Sequence, residues 1–277
     1  MISSSRGRCG RRGALVAALI LMASTTDLAS QQCARIPGIH SREKSDSATE
    51  PSPHGLGLGA GWERLATRDD QVSPMRYHGD AWPLEMAYRY DGHRFHHLVT
   101  ASYGATRLSS AITADDRHRS RVQEHRLRHH MTLQVATFSP QGSDLGVGLI
   151  FEAAIRERSH RYVAFADEEF IRSLFTLGPL VRGTLAPTDR IQLEGWVGVP
   201  LVAVVAASPY GVKGTLETRF EPPGGFTRLQ PGVAARWRLS RWMTAQASVE
   251  ARYTRVREPA PARDLQRLVA LHLLWTP

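Results

Sequence analysis

The side chains best equipped for chemistry do not converge. Twelve histidines are present, and His96-His97 and His129-His130 come as adjacent pairs. A zinc site needs three or four ligands aimed at one point, whereas neighbours on an extended strand point to opposite faces. Each pair therefore offers one ligand per face, and no metal site is expected. An acid beside an imidazole can activate water; Asp115, Asp116 and His118 supply that combination within one stretch, and Asp69-Asp70 lie in another. Asp116 and His118 are the catalytic candidates, set against the ordinary fate of charged loop tips, which is to be solvated. The glycine run from Gly55 to Gly61 is no dinucleotide fingerprint, because it alternates as a strand and opens no helix. No cofactor is implied.

The charge has a different meaning from the one it first suggests. With 35 Lys+Arg against 26 Asp+Glu over 277 residues the formal net charge is +9, a balance that invites a nucleic-acid reading. Only Lys44 and Lys213 are lysines and asparagine is absent, as codon bias in a GC-rich genome would produce. The arginines are dispersed, so nucleic-acid binding is not expected. Arg6, Arg8, Arg11 and Arg12 precede an apolar run from Gly13 to Ser24, with small residues near Ala29. Residues 1–30 thus read as a cleavable secretory signal. Its loss removes four arginines and Asp27, leaving +6. Cys9 leaves with it, so Cys33 has no intramolecular partner. Residues 31–54, rich in Ser, Glu and Pro, read as a disordered leader.

From Leu56 onward the dominant period is two. His125, Leu127, His129, Met131, Leu133 and Val135 alternate with Glu124, Arg126, Arg128, His130, Thr132 and Gln134, and comparable runs cover residues 145–156, 226–239 and 243–253. Ten strands follow, near 56–65, 82–90, 93–108, 122–138, 145–158, 170–185, 190–206, 226–239, 242–255 and 265–275. Short links, among them an Asp91-Gly92 hairpin, take turns with long ones at 66–81, 109–121, 159–169, 207–225 and 256–264. The uncharged stretch from Gly195 to Val212 could pass for a membrane helix, but Pro200 and six valines favour strand.

An even strand count, alternating faces and long loops at one end together resemble the bacterial outer-membrane β-barrel proteins over residues 55–277. Trp275 near the carboxyl terminus matches the aromatic at which those barrels end, although Thr276 and Pro277 follow it here. Tyr90, Phe95, Trp237 and Trp275 are girdle candidates at the periplasmic rim, and Trp62, Tyr103 and Tyr253 at the outer one. The resemblance implies an all-β, ten-stranded antiparallel up-and-down barrel, with eight to twelve strands possible, in the cell outer membrane. It implies outer-membrane lipid, lipopolysaccharide and the barrel-assembly machinery as partners, with an unknown surface ligand.

With the apolar face toward lipid, the other face lines the lumen. It carries Arg89, Arg94, Arg126, Arg128, Arg156, Arg158, Arg172, Arg182, Arg228, Arg236, Arg238 and Arg252 against Glu63, Glu85, Glu124, Glu152, Glu194 and Glu250. Their balance equals the whole mature charge, which would leave the rest of the molecule neutral. A narrow barrel would interlock these side chains into a plug, consistent with a non-enzymatic wall protein whose long loops bind something outside. Unpaired arginines would instead make a small anion-preferring channel. The third alternative is a surface enzyme. Ten strands is the size of the omptin proteases, yet Asp116 and His118 do not match that family's order or loop placement, and no Ser-His arrangement marks a lipid A-modifying hydrolase.

Overall fold

A computed structural model describes residues 53–69, 73–111, 117–139, 143–161, 168–207, 217–221, 226–257 and 262–277. The expected signal and all but the end of the expected leader lie outside these residues. The strands are β1 (His54–Asp69), β2 (Ser73–Ala81), β3 (Leu84–Asp91), β4 (Phe95–Ala111), β5 (Arg117–Ser139), β6 (Ser143–Arg161) and β7 (Glu168–Thr188). They continue as β8 (Ile191–Gly198), β9 (Val202–Ala207), β10 (Glu217–Glu221), β11 (Phe226–Arg238), β12 (Met243–Val256) and β13 (Ala262–Trp275).

These thirteen segments form ten spans. β2 and β3 both pair with β1 on one side and β4 on the other, so they are one span interrupted at Trp82-Pro83. β8 and β9 both pair with β7 and are interrupted at Val199-Pro200-Leu201. β10 and β11 pair with β9 and β8 respectively and together make one more. Every neighbour is antiparallel, and β1 pairs with β13 from Leu56↔Trp275 to Asp69↔Ala262, closing the ring. A closed ladder leaves no edge. The described part of the uncharged stretch, residues 195–207, lies in the β8–β9 span, and no helix among the described residues is long and apolar enough to cross a membrane.

Proline explains the interruptions. It lacks the amide that a ladder needs, and both Pro83 and Pro200 are buried on the inner face. The wall is held across each gap from a neighbouring span: the Gly61 amide donates to the Pro83 carbonyl at 2.9 Å, and the Val199 and Leu201 amides donate to the Pro179 and Leu177 carbonyls, each at 3.0 Å. A Cβ on Gly178 would strike the Val199 carbonyl and the Pro200 backbone, so glycine there permits the close approach.

The side chains are sorted inside out relative to a water-soluble protein. Leu58 is 70% and Leu271 66% exposed on the outer face, whereas Glu152 and Arg252 are 1% and 2% exposed within. In β13 the alternation is unbroken from Ala262 to Trp275.

Two expectations about connections are corrected. Residues 66–81, expected as a loop, are mostly strand, since β1 runs on to Asp69 and β2 returns from Ser73. The other long connections shorten likewise, with β5 starting at Arg117, β7 at Glu168 and β13 at Ala262, and β10 (Glu217–Glu221) lies inside the expected 207–225 loop. Toward the end opposite Trp275, outward positions such as Arg64, Arg107 and Arg263 are polar, so the apolar–polar alternation fades while the backbone ladder continues. The hairpin expected at Asp91-Gly92 spans Gly92, His93 and Arg94, with the Gly92 amide donating to the Phe95 carbonyl at 2.9 Å. Asp91 stays in β3 because its carboxylate is held inside. The end carrying His54, this hairpin and Trp275 is called the turn rim below, and the opposite end the loop rim.

Candidate functional site

Period two gives each span one inward row, and these rows meet in a layered interior. Nearest the turn rim, Arg89 reaches Asp91 at 2.7 Å and Glu194 at 2.8 Å. Arg182 reaches the other Glu194 oxygen at 3.2 Å, and Arg236 reaches Asp91 at 3.0 Å. His96 Nδ1 lies 3.1 Å from Asp91. Beside this layer Ile150, Leu180, Trp196 and Ala234 form an apolar cluster.

At mid-height Glu152 is the hub. It accepts from Arg228 and, at 2.9 Å, from Gln230, with Arg126 at 3.7 Å and Arg252 at 3.8 Å. Glu250 accepts from Arg128 and, at 2.5 Å, from Arg252. His272 Nε2 lies 2.8 Å from Glu85. Arg126 links to Glu124 and, at 3.4 Å, to Glu63. Toward the loop rim Arg156 bridges Glu124 and Asp264, each at 2.6 Å, and Thr67 donates to Asp264 at 2.5 Å. The Arg158 guanidinium lies 4.3 Å from the centre of the Tyr77 ring. Two further apolar clusters close this level: Leu65, Tyr77, Leu108 and Val122 on one wall, and Leu174, Ala203, Val205, Phe226 and Val256 on the other.

Small spaces remain within this network. Two interior cavities hold about 20 Å³ each, one lined by Glu63, Glu124 and Arg126 and the other by Glu152, Arg172, Arg228 and Asp264. That is room for about one water. The buried Nε donors of Arg126 and Arg228 have no acceptor among the described residues.

Sixteen of the eighteen expected lumen residues are buried or half-buried on the inner face. Arg94 and Arg238 are the exceptions: both are exposed, Arg94 in the hairpin and Arg238 at the end of β11. The strand period carries them inward on paper, but at the turn rim no opposite wall remains to cover them. Three inward carboxylates were missed: Asp91, Asp144 and Asp264. Alternation would have found Asp264, which stands two residues before the inward Gln266, had β13 been started at Ala262. The described interior therefore holds ten arginines against nine carboxylates, a balance of +1, not +6.

The displaced positive charge is on the outside. Arg64, Arg107, Arg121, Arg263 and Arg267 are exposed on outward positions toward the loop rim. Asp116 lies outside the described residues, and His118 falls on β5 with its backbone opposite Ser110. His97 and His129 stack outward, their ring nitrogens 3.1 Å apart, while His96 and His130 face inward. The girdle candidates lie on the outward face; Phe95, Trp237 and Trp275 are exposed toward the turn rim, and Tyr103 and Tyr253 are exposed further up the wall.

Among solved structures the chain is similar to the outer membrane protease OmpT of Escherichia coli, at 9% identity over 84% of this chain and 99% of that one, with a TM-score of 0.53. The fold is that of the bacterial outer-membrane β-barrels. This barrel also aligns with the translocator domain of the autotransporter NalP of Neisseria meningitidis, at 12% identity over 94% of this chain and 97% of that one, with a TM-score of 0.46. No family profile and no curated protein sequence matches the chain. At such identities the likeness carries the architecture of the barrel and not the activity of OmpT.

Proposed function

We propose that this barrel is a closed wall protein of the outer membrane, non-enzymatic, with its turn rim in the periplasm and its surface loops as the binding part. The reading rests on one observation: among the described residues the interior carries a nearly balanced Arg–carboxylate network, and two cavities within it hold about 20 Å³ each. A hydrated ion crossing it must displace buried guanidinium–carboxylate contacts, each costly to break. The orientation follows the rule that such barrels keep their short turns in the periplasm. The signal at residues 1–30 would deliver the chain there, and the barrel-assembly machinery would insert it.

Planar bilayers test the closed lumen. The protein should add no steady conductance, and ohmic channels that disappear on Arg126→Gln with Arg128→Gln would replace this reading by the anion-channel one. Location is tested by heat-modifiable gel mobility in the outer-membrane fraction; recovery as a soluble periplasmic protein overturns the proposal. Peptidase activity abolished by Asp116→Ala or His118→Ala would establish the enzyme reading instead.

A further inference from the structure

One buried guanidinium in the layer nearest the turn rim is only half used. Arg236 of β11 reaches across the lumen to β3, where its Nη1 donates to Asp91 at 3.0 Å. Its Nε and Nη2 are buried with no acceptor among the described residues. Glu194 Oε2 stands 3.6 Å from Nη2, beyond hydrogen-bond reach, and the Glu194 carboxylate is already held by Arg89 at 2.8 Å and Arg182 at 3.2 Å. Three guanidinium groups thus share two carboxylates. Asp144 also faces inward at the level of Thr184 and Glu194, but it forms no ion pair with a described arginine.

Two acceptors beside this fork are equally unmatched. Gln246 stands directly opposite Arg236 on β12, and its buried Oε1 has no donor among the described residues. His96 Nδ1 lies 3.1 Å from the same Asp91 carboxylate. With the proton on Nδ1 and shared with Asp91, the neutral ring keeps a lone pair on Nε2, and that nitrogen too is buried without a partner among the described residues. Buried polar groups left unpaired are costly, and these four atoms describe what would offset the cost. Nε and Nη2 of one guanidinium can hold two oxygens of a single oxyanion. An oxyanion that carries a proton would also present a hydroxyl to Gln246 or His96. Hydrogen phosphate has both features; sulfate has no proton at neutral pH, and chloride has no pair of oxygens for the fork.

The layer opens to water at this rim. The Asp91 side chain is 36% exposed, and Arg94, Arg190, Arg238 and Arg241 are exposed in the turns around it. None of these four forms an ion pair with a described residue, and two of them are adjacent, the Arg238 amide donating to the Arg190 carbonyl at 2.8 Å. Positive charge gathered at a mouth raises the local concentration of anions.

We propose that the free fork edge of Arg236, with Gln246 and His96 beside it, is a binding site for hydrogen phosphate dissolved in the compartment that the turn rim faces. The site does not depend on which compartment that is, nor on whether the lumen conducts.

The test dialyses radiolabelled inorganic phosphate to equilibrium against the full chain in a non-ionic detergent, at neutral pH and fixed ionic strength. Wild type should bind it saturably, one per barrel, and unlabelled sulfate should compete at least tenfold more weakly than unlabelled phosphate. Arg236→Lys keeps the charge and loses the fork, so it should bind at least tenfold more weakly. Gln246→Leu should narrow the preference for phosphate over sulfate, and Arg267→Gln on the outer face should bind as wild type. Absence of saturable binding, equal competition by sulfate on wild type, or an unaffected Arg236→Lys would each overturn the proposal. Heat-modifiable mobility reports whether a variant folds; if Arg236→Lys does not, the competition on wild type and Gln246→Leu decide, and an unchanged preference in Gln246→Leu overturns the site. A barrel that binds phosphate in this way and also conducts in bilayers defeats the closed-wall reading alone.

Discussion

Arginine plays two opposite parts in this barrel. Inside, Arg126, Arg228 and Arg252 surround Glu152 and are themselves almost wholly buried. Outside, Arg64 and Arg267 are exposed and opposed to one another across β1 and β13. A buried guanidinium is tolerable only with its carboxylate, because desolvation costs more than any single contact returns. An exposed one keeps its hydration and can await an external partner. The sequence makes both from the same residue type, and the parity of a strand position decides which part each plays.

Removing the hub carboxylate tests this contrast most severely. Glu152→Ala leaves three guanidinium groups facing one another, and the urea midpoint of the gel-shift transition should fall by the equivalent of about 3–5 kcal/mol. Adding Arg228→Ala to Glu152→Ala should restore part of that loss, and a double-mutant cycle should return a coupling of about 1–3 kcal/mol; strictly additive losses would mean that Arg228 and Glu152 act independently. The outer arginines should behave otherwise. In neutral detergent Arg64→Gln with Arg267→Gln should shift stability by less than about 0.5 kcal/mol. Raising the salt from low to molar should stabilise wild type slightly by screening their repulsion, and that response should be lost in the double variant. A loss of several kcal/mol from the outer pair would erase the distinction.

Much of this was legible in the chain. All ten spans follow from period two, because one face meets an apolar medium and the other a polar interior. Where that contrast ends the signal ends too: the strand extensions through Thr67 and Tyr77 carry no clear alternation, yet they bring Tyr77 against Leu65, Leu108 and Val122. The charge balance was misread for the same reason. Asp91 and Asp264 sit at span ends, where a loop reading is natural, although both accept from interior arginines. Nor does period two reveal which spans are neighbours at which height. Arg68, Arg255 and Arg263 become a row only once the register is known.

The prolines give the wall an uneven cohesion. A closed ladder can be unzipped only along a whole seam between two spans, and its weakest seam is where donors are fewest. Pro179, Pro200 and Pro231 stand on three successive spans, those of β7, β8–β9 and β11, and each withholds one amide from the ring. The β5–β6 ladder, by contrast, has no proline from Arg119 to Ser139 or from Ser143 to Arg161. The β2–β3 span, interrupted at Pro83, shares the deficit of those three, and amides of these proline-bearing spans should exchange with solvent before those of β5 and β6.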